Sequence, residues 1–336
     1  MDNLKVSLSP HEKGRLTTNK VMWLVCAAML PALVSALFNF GIRALVVVVA
    51  SLVFCVGLEY LIQKFVLKTK VTVCDGSAAV TGLLLAFNMP SSIPLWQLFI
   101  GALVAIGIAK MAFGGLGKNP FNPALVGRAF LLISFPVSMT TWPIQGKTRF
   151  VWNIITEAQA KAQGLDAMTS ATPLAAIKQH AIQSLPSYWD MFIGTVGGSL
   201  GETSALAILL GGLFLMYKKI ISWHIPVFFL ATIFVFTGIA WLINDKQFVN
   251  PLYHILSGGV MLGAFFMLTD MVTSPMNPKG QIIFAIGAGI ICSCIRLWGA
   301  YPEGCMFSIL IMNAFVPLID KYIKPKRFGS EVNYGG

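Results

Sequence analysis

Residues 21–41 read VMWLVCAAMLPALVSALFNFG, a run of 21 residues without a charged side chain. A helix needs roughly 20 mostly apolar residues to cross the hydrocarbon of a bilayer, so this run is long enough to span a membrane. Residues 1–20 are polar and lack the short apolar core and small-residue cleavage site of a secretory signal peptide. We therefore expect this first helix to be retained.

The composition of the whole chain indicates that lipid is its solvent. Its 336 residues are 56% hydrophobic and 11% charged, with a mean hydropathy of +0.76, so it has too few charged side chains for a water-facing surface. We predict an all-α integral membrane protein. Ten apolar segments are candidate membrane helices, at residues 21–41, 43–63, 76–88, 94–113, 123–139, 203–217, 221–243, 251–270, 280–299 and 303–320.

Two features suggest an internal repeat. The third, fifth and sixth segments are short and surrounded by glycine and proline, as in transporters whose broken helices meet at the midplane of inverted repeats. The stretch DGSAAVTGLLL at residues 75–85 is also similar to ETSALAILLGG at residues 202–212. These stretches open the third and sixth segments, which are not equivalent in a division into five and five, so chance similarity is the other explanation.

The repeat gives a predicted domain organisation. Because five helices cross the membrane an odd number of times, a second set of five would start on the opposite side and be inverted relative to the first. The parts would be an N-terminal tail at 1–20, a first repeat at 21–139, a long loop at 140–200, a second repeat at 201–320 and a C-terminal tail at 321–336.

The basic residues predict the orientation of the chain, because lysine and arginine concentrate in cytoplasmic loops. With the N-terminus inside, sixteen of them lie in inner segments and six in outer loops, the long loop included. We therefore predict that both termini are cytoplasmic and that the loop at 140–200 is external. Membrane topology then explains the net charge of +11, and no nucleic-acid partner is expected.

The long loop contains Asp166-Ala-Met-Thr169-Ser170-Ala171-Thr172-Pro173. The proline disfavours the α conformation for Thr172, so its hydroxyl is expected on an extended stretch. Ser170 and Ala171 leave room for a bulky group, and Asp166 has the chemistry to hold a divalent cation or orient a phosphate-bearing donor during attachment of a cofactor. An ordinary Ser/Thr/Pro loop or a helix N-cap has the same composition, so the motif alone leaves both explanations open.

This motif resembles the covalent-flavin motif Asp-x-x-(Ser/Thr)-(Gly/Ser)-Ala-Thr of one family of membrane redox proteins. The family comprises the D subunit of the Rnf electron-transport complex and the B subunit of the sodium-pumping NADH:quinone oxidoreductase. Further similar stretches are GGLGKNPFNPALVGRAF at 114–130, DGSAAVTGLLLA at 75–86 and MLTDMVTSP at 267–275. The resemblance covers nearly the whole chain.

The resemblance implies FMN esterified through its phosphate to Thr172 by a separate flavin transferase, with Asp166, Thr169, Ser170 and Ala171 completing the attachment motif. It also implies a second, non-covalent flavin, riboflavin or another FMN, within an inverted five-helix repeat like that of urea transporters. The short N-terminal tail favours the Rnf protein over its sodium-pumping homologue.

The chain would then relay electrons in a ferredoxin:NAD⁺ oxidoreductase of a bacterial or archaeal cell membrane. Its partners would be the A, B, C, E and G subunits of Rnf, and the electron flow would be coupled to translocation of Na⁺ or H⁺.

Polar residues inside the apolar segments are the remaining candidates, because such groups are costly in hydrocarbon and are usually retained for function. By resemblance and position, we assign Asn119, Asn122, Thr269 and Asp270 to the internal flavin or an adjacent cation path. Amides at the helix N-terminus after Asn122 are suited to flavin carbonyls. The alternative is that Asn122 and Asp270 only cap helices next to proline.

Other polar residues are expected to be structural. Asp75 and Glu202 are expected to be helix N-caps, and Arg128 and Arg296 are expected to pair with carboxylates or reach the membrane interface. The six cysteines are scattered through the apolar segments and are expected to be small buried hydrophobes rather than metal ligands.

A second function class competes with the flavoprotein. In this hypothesis the inverted repeat encloses a pore, the chain is a small-solute permease or channel, and Thr172 is unmodified.

Overall fold

The structure is a computed structural model that describes residues 17–142, 172–179, 185–245, 247–301 and 303–324. All regular elements in these ranges are helices. Besides a 3₁₀ turn at Val73–Asp75, they are, in chain order, α1 (Thr18–Phe40), α2 (Ile42–Val66), α3 (Ser77–Phe87), α4 (Leu95–Met111), α5 (Pro123–Ser134), α6 (Pro136–Thr140), α7 (Pro173–Lys178), α8 (Tyr188–Ile193), α9 (Ala205–Tyr217), α10 (His224–Ile243), α11 (Pro251–Leu256), α12 (Val260–Leu262), α13 (Pro278–Trp298) and α14 (Cys305–Tyr322), with α12 continuing as a π-helical stretch, Gly263–Met267.

The predicted all-α membrane architecture is confirmed. In the described residues α1, α2, α10, α13 and α14 are long and apolar enough to cross a membrane, and α3, α4, α5 and α9 are shorter apolar helices. Large apolar side chains such as Phe38, Val53 and Ile133 are exposed on the outside of the bundle. Lipid is the solvent that suits such a surface.

The eighth predicted segment is not one continuous helix. Ser257, Gly258 and Gly259 separate α11 from α12, and Gly258 has φ +64°, a backbone conformation that side chains with a Cβ rarely adopt. The third, fifth and sixth segments are short, as predicted. The broken helix therefore lies at a position where the sequence pattern predicted a regular one.

The long loop contains regular structure that the sequence pattern did not predict. Within its described residues lie α7, which follows Thr172, and α8, in which Met191 is buried while Trp189 and Ile193 are exposed. At the start of α7 the side-chain oxygen of Thr172 accepts a backbone N–H, and at the start of α8 that of Ser187 does the same.

The packing order is the same in the two halves of the chain. In the first half α2 packs on α3 and α4, and α4 packs on α5. In the second half α10 packs on α11, the π-helical stretch and α13, and α13 packs on α14. The two halves meet where α1 packs on α9.

This order makes α3 the counterpart of the second part of the broken helix. The sequence similarity between residues 75–85 and 202–212 therefore does not join equivalent positions, since it pairs α3 with α9. A better repeat signal is Arg128-Ala-Phe130 on α5 and Asn313-Ala-Phe315 on α14. Arg128 contacts Asn88, which lies just after α3. The Asn313 amide, oriented with its nitrogen towards Thr273, donates to the backbone carbonyl of Thr273 at 3.1 Å.

The expectation for the cysteines is only partly correct. Cys26, Cys55, Cys292 and Cys305 are buried. Cys74 is exposed, because it lies in the short turn before α3. The thiol of Cys305 on α14 donates to the carbonyl oxygen of Gly259 at 3.4 Å.

Candidate cofactor sites at two ends of the helical bundle

Thr172 lies on the wall of a cavity at one end of the bundle, the Thr172 cavity. Its volume is about 1620 Å³, including the part open to solvent. The wall is formed by the ends of α5 and α6, by α7, by the residues before α9 and by the loops around the broken helix and before α14; it includes Arg128, Leu132, Met139, Thr140, Thr141, Trp142, Thr172, Leu174, Glu202, Thr203, Gly258, Tyr301 and Glu303.

Thr172 has the backbone conformation that the following proline favours. Its backbone is extended, with φ −68° and ψ 152°, and its Oγ1 accepts the N–H of Ala175 at 3.2 Å. This capping contact uses Oγ1 as an acceptor and leaves its proton uninvolved. The other predicted motif residues, Asp166, Thr169, Ser170 and Ala171, lie outside the described residues.

Helix α7 rests on the bundle at both ends. Leu174 is buried, and its side chain lies where a Cβ on Gly258 would be. Lys178 donates from Nζ to the carbonyl of Gly299 and, at 2.6 Å, to that of Tyr301. Partial burial lowers the pKa of Lys178, and the two carbonyl oxygens replace part of the water that burial removes.

The floor of the Thr172 cavity contains a buried ion pair between the two halves of the chain. NH1 of Arg128 lies 2.8 Å from Oε1 of Glu202 and 2.5 Å from Oδ1 of Asn88. The expectation that Glu202 caps a helix is wrong, because Ser204 caps α9 instead. The expected pairing of Arg128 with a carboxylate is confirmed.

A second buried ion pair closes the break between α11 and α12. Arg296 donates to the carbonyls of His254 (2.5 Å) and Ser257 (3.0 Å), at the C-terminal end of α11. Glu303 accepts the N–H of Gly259 at 2.9 Å, at the start of α12. The two side chains also pair at 3.0 Å, which confirms the expectation for Arg296. The positive Arg296 thus lies at the partially negative C-terminal end of α11, and the negative Glu303 lies at the partially positive N-terminal end of α12.

The four internal residues assigned from the sequence lie on the wall of one second cavity, the Asn122 cavity. It encloses about 720 Å³ of space between atoms, including the part open to solvent, and lies at the opposite ends of α5 and α9. One wall is apolar, with side chains from α1, α9 and the π-helical stretch, and the other is polar; the polar residues are Ser77, Thr81, Lys110, Asn119, Asn122, Thr269 and Asp270.

The alternative that these residues cap helices is correct for Asn122 and wrong for Asp270, because the next helix, α13, is capped by Asn277. Asn122 accepts the N–H of Ala124 at 3.1 Å and so caps α5, while Asp270 accepts the Thr273 hydroxyl at 3.1 Å. Thr269 donates to the Phe265 carbonyl at 2.6 Å, and the Asn119 amide donates to its neighbour Phe121. At Asn122, capping and cavity lining therefore occur together, and neither excludes the other.

The sequence pattern did not predict a buried charge cluster that lies beside this cavity. Nζ of Lys110 lies 2.6 Å from Oε2 of Glu59 and 2.7 Å from Oγ of Ser77. Asp75 accepts the N–H of Ser77 at 2.8 Å, but the N-cap of α3 is Gly76, so the expectation that Asp75 is the N-cap is wrong. The available signal was a glutamate and a lysine inside the otherwise apolar segments 43–63 and 94–113.

The two cavities are close to each other. Pro123 lines the Asn122 cavity and Arg128 lines the Thr172 cavity, and both belong to α5. A separation of five residues along a helix corresponds to a rise of about 7.5 Å. About one and a half helical turns therefore separate the two walls.

Comparison with known proteins identifies the family. A family profile described as NQR2, RnfD, RnfE matches residues 5–329. The chain belongs to this family. The family predicted from its motifs is thereby confirmed.

Individual members of the NQR2, RnfD, RnfE family match along almost their whole length. A protein of Acetobacterium woodii, named as the D subunit of a Na⁺-translocating ferredoxin:NAD⁺ oxidoreductase complex, is 47% identical, covering 97% of this chain and 96% of its own. A Clostridium ljungdahlii protein, named as the D subunit of a proton-translocating complex of the same activity, is 46% identical over the same shares. The D subunit of an ion-translocating oxidoreductase complex of Shigella boydii is 37% identical, covering 97% and 98%.

Proposed function

We propose that the chain is the D subunit of an ion-translocating ferredoxin:NAD⁺ oxidoreductase complex, in which it relays electrons through FMN bound covalently to Thr172 and through a second, non-covalent flavin. The names of the relatives support the complex and the place of this chain in it. The position of Thr172 on the wall of a large cavity is the observation that supports covalent flavin.

The Thr172 cavity suits a tethered flavin in three respects. The Thr172 hydroxyl borders a space of about 1620 Å³, and its contact with Ala175 does not use the hydroxyl proton. Leu174 and Leu132 provide apolar surface for a ring system. Arg128 lines this cavity, and its guanidinium is suited to carbonyl or phosphate oxygens. When bound, the flavin would accept and release electrons.

The Asn122 cavity is our proposed site for the non-covalent flavin, riboflavin or FMN. Its apolar wall, which includes Phe265 and Phe266, is suited to a planar aromatic ring. Its polar wall offers the amides of Asn119 and Asn122 and the ammonium of Lys110, which are suited to ring carbonyls and a ribityl chain. This division of polar and apolar surface is typical of small-molecule sites.

Electrons would pass between the two flavins across the middle of the bundle. Pro123 on one cavity wall and Arg128 on the other are separated by about one and a half turns of α5, so the two proposed sites are neighbours within the bundle.

The distribution of basic residues supports an orientation. The Asn122 cavity lies at the end of α9 that is followed by Lys218 and Lys219, so we propose that this face is cytoplasmic and that the Thr172 face is external. Both termini would be cytoplasmic in the bacterial or archaeal cell membrane. The proposed partners are the A, B, C, E and G subunits of Rnf and, during maturation, a flavin transferase.

The coupling ion is Na⁺ or H⁺, moved by the assembled complex. The two relatives with nearly equal identity to this chain are named for different ions, so overall similarity does not distinguish between them.

Flavin fluorescence in a denaturing gel tests the proposal. The complex is produced together with its flavin transferase, denatured, separated and illuminated with ultraviolet light. We expect a fluorescent band that is lost in Thr172→Ala and retained in Thr140→Ala, a matched change at another threonine of the same cavity. A dark wild-type band would favour the permease hypothesis, or a scaffold protein without its own covalent cofactor.

A further inference from the structure

We propose that Lys178 is a positioning residue, which locks the segment that carries Thr172 onto the turn between α13 and α14 and thereby fixes the tethered flavin over the Thr172 cavity. This inference rests on the proposed function.

Lys178 binds the backbone where a long helix ends. Its ammonium donates to the carbonyls of Gly299, the C-cap of α13, and Tyr301. The last carbonyls of a helix have no partner within the helix and carry partial negative charge, so a cation is stabilised there. A neutral side chain of the same length would leave these carbonyls without that donor.

The helix between Thr172 and Lys178 has little stability of its own. It contains six residues, and isolated helices much shorter than about 12 residues are marginal in water. Its position therefore depends on its contacts with the bundle, which include Leu174 on Gly258 at one end and Lys178 on the α13–α14 turn at the other.

Both contact points lie beside the ion pair of Arg296 and Glu303. Arg296 binds the Ser257 carbonyl next to Gly258, and its partner Glu303 lies just after the turn that contains Gly299 and Tyr301. The support under α7 is thus fixed by an ion pair at 3.0 Å, and Lys178 is the charged contact that connects the segment to it.

Tyr301 lines the same cavity as Thr172. Holding Lys178 on the Tyr301 carbonyl therefore fixes the distance from the attachment point to the opposite cavity wall. Loss of this contact leaves the Thr172 hydroxyl chemically intact, so attachment is expected to continue while the orientation of the attached group becomes less defined.

The test uses the assembled complex with Lys178→Met, Lys178→Arg and, as the matched control, Lys279→Met, an exposed lysine at the other end of α13. Three quantities are measured: covalent flavin per chain by in-gel fluorescence, amide hydrogen exchange of residues 173–179, and fluorescence anisotropy of the covalent flavin. The signal of the Thr172→Ala complex is subtracted to remove the non-covalent flavin.

For Lys178→Met we expect unchanged covalent flavin, amide exchange about tenfold faster or more, and lower anisotropy, because a hydrogen bond from a charged donor is lost. Lys178→Arg should restore exchange and anisotropy, and Lys279→Met should match wild type. Wild-type exchange and anisotropy in Lys178→Met would overturn the inference. If the wild-type chain carries no flavin, the proposed function fails, and the exchange data alone still decide whether Lys178 holds the segment.

Discussion

Arg128 and Glu202 join the two halves of the chain, with NH1 of the arginine 2.8 Å from Oε1 of the glutamate and both side chains buried. The arginine comes from α5 and the glutamate from the segment before α9. The pair therefore fixes the boundary between the halves at the floor of the Thr172 cavity.

Removing one member of this pair should destabilise the protein strongly. In Arg128→Met the Glu202 carboxylate stays buried without its cation, and breaking a buried pair in this way costs about 3–5 kcal/mol. Thermal unfolding of the detergent-solubilised chain measures the loss. The double variant Arg128→Met/Glu202→Leu should be more stable than Arg128→Met, and the exposed change Lys118→Met should have little effect. Equal stability of Arg128→Met and wild type would contradict the buried pair.

The crossing of α1 and α9 should not tolerate a side chain at Gly211. A Cβ there would overlap the Ala28 carbonyl and lie 3.0 Å from the Phe266 ring, so Gly211→Ala is expected to cost about 1–3 kcal/mol. The matched control is Gly57→Ala, where the added Cβ would have no neighbour within 4 Å. Thermal unfolding compares the two variants. Equal stability would show that the helices cross farther apart than described.

The Asn122 cavity should control the non-covalent flavin without affecting the covalent one. Asn122→Ala removes a helix cap and a cavity-lining amide, whereas Asn277→Ala removes a similar cap, of α13, outside both cavities. Each lost cap should cost about 1 kcal/mol. Only Asn122→Ala should lower the flavin extracted by acid from the purified complex, with in-gel fluorescence unchanged. Equal extractable flavin in both variants would count against this site.

The proposed orientation can be checked with single cysteines in a Cys74→Ser background, which removes the exposed natural thiol. Thr140 is exposed at the Thr172 end of the bundle and Lys118 at the Asn122 end. A membrane-impermeant maleimide applied to intact cells should label Thr140→Cys, and should label Lys118→Cys only after permeabilisation. The reverse pattern would place the Thr172 cavity in the cytoplasm.

Much of the fold could be predicted from the apolar runs, because the length of such a run is a local property of the sequence. The break between α11 and α12 was not predicted, since Gly258 and Gly259 lie within an apolar stretch and the charges that close the break, Arg296 and Glu303, come from elsewhere in the chain. The same reason explains the missed pair of Lys110 and Glu59, which are 51 residues apart. Pairing over such distances has no local signature.

For the candidate sites too, the residues in motifs were predicted and a residue outside them was not. Asn119, Asn122, Thr269 and Asp270 lie on one cavity wall as the motifs suggested, although only folding brings residues of α5 and of the broken helix together. The cation Lys110 on that wall was missed because it has no motif of its own. The cofactors themselves stay a prediction from Thr172 and its motif.

Mass spectrometry of the proteolytic peptide containing Thr172 tests the central claim most directly. The peptide is taken from the complex produced in its native host or together with its flavin transferase. We expect the peptide to carry the added mass of FMN in phosphoester linkage, with fragment ions that place it on Thr172. Complete recovery of the peptide without that mass would contradict the account.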